Sequence, residues 1–99
     1  MQAVVNTIAL ERPLEDAVFE AARRDLPERV AAVEGIQGVH MIRTGAGELV
    51  LVILGDDDAA LDRMRDAVGN EWMRTHVVPN AAAAPQRAVG EVVFSYTRG

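Results

Sequence analysis

The chain carries GVHMIRT at residues 38–44, GAGE at 45–48 and LVLVIL at 49–54, and no other part of it states a structure so plainly. Two runs rich in β-branched and apolar side chains flank four residues of which two are glycine, which is the composition of a hairpin around a tight reversal. The second run is apolar at six consecutive positions, Leu49 to Leu54. A strand with one wet face alternates instead, so this one reads as covered on both sides.

Downstream, Asp56, Asp57 and Asp58 precede Ala60, Leu61, Met64 and Val68, an apolar stripe whose first turn carries the acids that a helix N-terminus favours. Gly69-Asn70 interrupts the stripe, while Trp72 and His76 continue its four-residue step, which predicts a short helical extension capped by Asn70 and ended before Pro79. Residues 81–85 read as a connecting loop, and VGEVVFSYT, 89–97, as the last strand. Upstream, AVVNTIALE, 3–11, reads as the first strand, closed by Arg12-Pro13. Between them Leu14, Val18, Ala21 or Ala22, Leu26, Val30 and Val33 recur at three-to-four spacing, which predicts a helix from Leu14 to Glu34. Asp25-Leu26-Pro27-Glu28 has the form of a fresh helix start, so a kink or two short helices are expected there. Gly35 and Gly38 end that segment.

The order is β-α-β-β-α-β, which predicts an α+β domain of the ferredoxin-like type, with a four-stranded antiparallel sheet and both helices on one face. Ninety-nine residues suit a single domain over 1–99. Hydrophobic residues make up 49% and charged residues 25%, an ordinary globular balance. The formal charge is −5, and the ten Lys and Arg form no run that follows a phosphate backbone, so nucleic acid is not an expected partner. With no cysteine, disulfides and thiolate chemistry are excluded. The longest apolar run is too short to span a bilayer and no basic leader opens the chain, so a cytoplasmic protein without membrane contact is expected.

The strands lack a polar face. Val4, Ile8 and Leu10 lie on one side of the first strand and Val5 and Ala9 on the other, and the last offers Val93 against Val92, Phe94 and Tyr96. Covering the second face with another copy of the chain removes a large apolar patch from water, so a homodimer is the expected state.

Several residues carry chemistry. Asn6 sits in the apolar row of Val4, Ile8 and Leu10, either as an amide presented to a pocket or as a structural amide bonded to neighbouring backbone. Trp72 is a core or lid residue by default and a stacking platform for a planar substrate by the sharper reading. His76, four residues on, shares its helix side, where an imidazole can cap the helix, move a proton or bind a metal or haem iron. His40 faces either the pocket or a dimer seam. Phe94 and Tyr96 share a strand face and can line the same cavity or simply pack. Helix capping accounts for Asp56 to Asp58 without a metal. Phosphate loops, nucleophile elbows and paired metal-binding histidines are absent from the sequence.

The order of elements, VVNTIALE in strand one, EGIQGVHMIRT leading into strand two and the terminal GEVVFSY resemble the antibiotic biosynthesis monooxygenase-like family of the dimeric α/β barrel superfamily. The resemblance covers nearly the whole chain. It implies a dimer with a substrate pocket between sheet and helices, and an oxygenase that oxidises a small aromatic or quinol-type compound without a cofactor. Its haem-degrading branch implies the alternative of bound haem, with Asn6, Trp72 and His76 at the corresponding pocket positions. A third expectation, from the fold alone, is a non-catalytic dimeric module that binds a small ligand.

Overall fold

A computed structural model describes residues 1–98. The apolar run forms β3 (Glu48–Gly55), which is central because both its edges find partners: β1 (Gln2–Ala9) on one side and β2 (Ile36–Gly45) on the other. β4 (Gln86–Glu91) adds to the free edge of β1, giving the order β2-β3-β1-β4 with every neighbouring pair antiparallel. With α1 (Asp16–Ala31) after β1 and a second helical stretch after β3, this is the ferredoxin-like α+β fold. Among the described residues no helix is long and apolar enough to cross a membrane.

Register decides which side chains meet the helices. Asn6 stands opposite Leu51 of β3 and Arg87 of β4, and Met41 of β2 stands opposite the same Leu51. One sheet face therefore carries Val4, Ile8, Leu49 and Leu51, all buried in the core with Leu26 of α1 and Met64, Val68 and Trp72 of the second helical layer. The other face carries Val5, Ile42, Val50 and Val52, of which Val5 and Ile42 are exposed. That face is apolar, as the missing alternation requires.

The helical stretch after β3 is continuous and irregular. α2 (Asp58–Met64) opens on Asp57, whose carboxylate accepts the Ala60 N–H at 2.8 Å. A π-turn over Arg65–Gly69 follows and runs into α3 (Asn70–His76). Met64, Val68 and Trp72 recur at steps of four, whereas an α-helix turns about 40° past a full turn in four residues. The underwound π-turn absorbs that drift and keeps all three in the core.

Three sequence expectations need correction. α1 has no break at Pro27, which lies inside one helix of 16 residues. Leu26 is buried and Val30 packs against the core, so the helix is anchored on both sides of the proline and continues despite the N–H it lacks toward Arg23. Asn70 caps nothing: it and Gly69 have right-handed helical dihedrals, and the Asn70 N–H donates to the Arg65 carbonyl within the π-turn. The last strand lies earlier than its apolar residues suggest. β4 begins at Gln86, and residues 92–98 fall outside it, joined to the sheet edge by the Val92 N–H donating to the Met1 carbonyl at 2.9 Å.

The turn from α1 into β2 is fixed by Gly35, whose φ is +89° and whose carbonyl accepts the Asp56 N–H at 2.8 Å. A Cβ there would stand 2.8 Å from the Ala60 Cβ. Arg63 donates to the Glu34 carbonyl at 2.9 Å and Gln37 to Asp56 at 2.7 Å, so this corner holds the start of α2 against the turn. Gly35→Ala combines a disfavoured backbone with a steric clash, and should cost about 2 kcal/mol or more of unfolding free energy in urea denaturation. A loss under about 0.5 kcal/mol would mean the corner can open without consequence.

Candidate functional site

Asn6 lines a cavity of about 280 Å³ between the sheet and the second helical layer. Val4, Asn6, Leu51 and Ile53 form the sheet side, and Arg65, Gly69, Asn70, Met73 and Arg74 the helix side. Pro85 and Arg87 close it along the approach to and edge of β4. The π-turn builds the helix side. Its i→i+5 closure brings Asn70 round above Arg65, and Arg74 follows one α-helical turn later. Gly69, in the same turn, leaves the space a side chain would take.

Asn6 is half-buried, and among the described residues its carboxamide has no protein hydrogen-bond partner. Directly opposed residues of antiparallel strands have Cβ atoms about 4.5–5.5 Å apart, so register alone places the Arg87 side chain beside that amide. The cavity joins an apolar wall to a short polar row, a combination that binds and orients a small organic molecule.

The other residues singled out in the sequence do not gather there. Trp72 is in the core at 4% exposure and borders a void of about 30 Å³ next to the main cavity. Its ring packs on that of His76, with centroids 4.8 Å apart and planes 35° apart, and its Nε1 is buried without a partner. His76 is half-buried and lines neither space. It lies on the seam toward α1, where Arg24 donates to Asp25 and holds that exposed carboxyl below its usual range, with a smaller contribution from His76. His40 pairs with Val52 on the opposite sheet face and is exposed. Phe94 and Tyr96, beyond the end of β4, are 84% and 73% exposed. Asp56 and Asp57 are engaged by Gln37 and by the α2 cap.

Sequence reasoning missed the arginines, because an isolated arginine on an exposed helix or edge strand reads as a solvated charge. It also missed a second cavity, of about 390 Å³, between α1 and β2, lined by Phe19, Leu26, Val39 and Met41 with Arg23 as its one charged group. That cavity is larger, but it offers a ligand a single polar anchor. The one holding Asn6 offers five and is the stronger candidate.

No protein-family model matches the sequence, and no curated protein matches it. Solved structures do. A putative antibiotic biosynthesis monooxygenase from Bordetella bronchiseptica is similar at a TM-score of 0.69 and 22% identity, over 94% of this chain and 97% of its own. The monooxygenase ActVA-Orf6 of Streptomyces coelicolor, solved with the ligand nanaomycin D, gives 0.72 and 15%, over 99% and 92%. The chain has the fold of the antibiotic biosynthesis monooxygenase-like proteins. SnoaB, a cofactor-independent oxygenase from Streptomyces nogalater, adds 0.69 and 14%, over 98% and 97%. At these identities the likeness establishes the fold, so a reading of the activity has to start from the cavity.

The orphaned indole N–H yields a test of Trp72. Trp72→Phe removes a buried donor without a partner and little of the apolar contact, so unfolding free energy should change by no more than about 1 kcal/mol. A loss above about 3 kcal/mol in urea denaturation would show that the indole nitrogen is satisfied in solution, and by what could then be sought.

Proposed function

We propose that the cavity holding Asn6 is the active site of an oxygenase that oxidises a small aromatic or quinol-type compound without a cofactor. The observation that carries this reading is Asn6 itself, a half-buried amide with no protein hydrogen-bond partner in the wall of a ligand-sized, largely apolar space. The shared fold with SnoaB and ActVA-Orf6 supports it. In such a reaction one atom of O2 enters the ring and the other leaves as water with two hydrogens from the same substrate, so the substrate supplies all four electrons. The protein's task is to favour the electron-rich anion of the substrate. Apolar walls strip water from that anion, and the Asn6 amide N–H donates to the oxygen on which charge develops.

The working unit in this reading is a dimer. Support comes from the apolar outer sheet face and from residues 92–98, where Val93, Phe94 and Tyr96 stand in water next to the sheet edge. A second copy would cover both, within the 1,200–2,000 Å² or so that a stable interface buries.

Two measurements test these statements. With an autoxidisable hydroquinone or anthrone, oxygen uptake by the protein should fall about 100-fold or more in Asn6→Ala, the usual cost of losing one donor to a developing oxyanion; equal uptake by the variant would remove Asn6 from the reaction. In analytical ultracentrifugation the chain should sediment as a dimer, and a chain ending at Glu91 should shift toward monomer. Single chains throughout at micromolar concentration would refute the dimer.

A further inference from the structure

The charges around the cavity point to the kind of molecule it takes. The chain is acidic, with 15 Asp and Glu against 10 basic residues, and its basic residues are all arginine. Chance would favour acids at any wall of this protein. Yet Arg65, Arg74 and Arg87 line the cavity, with Asn6 and Asn70 as its other polar side chains, and no carboxylate does. Arg65 is already engaged: Asp62 lies 3.3 Å from it and Asp66 3.1 Å. Among the described residues Arg74 and Arg87 have no ion pair, so the wall carries two uncompensated guanidinium groups. They come from different layers, α3 and β4, and both are exposed where they line the cavity.

We infer that the cavity is built for an aromatic compound bearing a carboxylate, with Arg74 and Arg87 as the anion clamp and the apolar wall of Val4, Ile53 and Met73 as the seat of the ring. The inference rests on the reading of this cavity as the substrate site and names the substrate class. Guanidinium groups suit the task because their forked donors match a carboxylate in two parallel hydrogen bonds. With Arg87 opposite Asn6 in register, the carboxylate and the amide hold two points of the same ligand, which fixes the ring between them. The anchor sets specificity and position, while Asn6 stays the residue at the reacting oxygen.

The test uses unreactive probes, so that binding is read apart from oxidation. By calorimetry, 2-naphthoate should bind the wild-type protein at least about tenfold more tightly than its neutral isostere 2-naphthamide, the usual margin of a charge-assisted hydrogen bond. Arg74→Gln and Arg87→Gln should each shrink that preference and the double variant abolish it. Both arginines are exposed, so the fold should tolerate the changes, which circular dichroism checks. Arg23→Gln, in the cavity beside α1, should leave naphthoate binding unchanged. Equal affinity for acid and amide, binding of neither, a preference that survives the double variant, or a loss at Arg23 instead would each overturn the inference. Carboxylate preference without oxygen uptake on any reduced aromatic acid would sink the oxygenase reading alone. Oxygen uptake on a carboxylated quinol that is no greater than on its neutral amide and is indifferent to both arginines would sink this inference alone.

Discussion

Six apolar residues in a row, Leu49 to Leu54, allow the chain few arrangements, and most of the structure follows from that restriction. Leu49, Leu51 and Ile53 go to the helices, and Val50, Val52 and Leu54 to the opposite face. A strand so built is costly at an edge, where its backbone groups and half its side chains would meet water. It therefore pairs on both sides, with β1 and β2, and those two strands inherit the same two-sided character. The helices then cover one face only. The other is left apolar, with Val5 and Ile42 exposed, and the link from sequence pattern to the proposed dimer passes through this one strand.

The order of elements was legible because the signals for it are local. Period-two and four-residue patterns, turn glycines and the acidic run before α2 each act over a few residues, and tertiary packing agreed with them. Where packing competed, sequence reading failed. Pro27 should stop a helix, but Leu26 and Val30 hold α1 to the core on either side of it. Val92, Val93 and Phe94 have the side chains of a strand, yet pairing with β1 runs from Gln86 to Glu91, and the bond from the Val92 N–H to the Met1 carbonyl lies just past that ladder.

The candidate site divides along the same line. Asn6 could be picked out because a polar residue in an apolar row is locally anomalous. Arg65, Arg74 and Arg87 could not: each is ordinary where it stands, and only strand register and helix phase bring them to one wall. Trp72 and His76 shared a helix side as their spacing implied, but that side faces the core and the α1 seam rather than the cavity. Spacing along a helix says which residues are neighbours and leaves open what they look at.

The π-turn at Arg65–Gly69 lets the chain carry one residue more than a regular helix needs without disturbing what lies beyond it. Five residues there advance the helix by nearly the same angle and rise as four residues of α-helix, so deleting one would close the turn with ordinary i→i+4 bonds and leave the phase of the segment beyond almost unchanged. Asn70 and Arg74 would keep their side of the helix, and the widened backbone beside Gly69 would be lost. The width of the cavity is therefore a feature that a single codon can add or remove while the charges around it and the sheet beneath stay where they are.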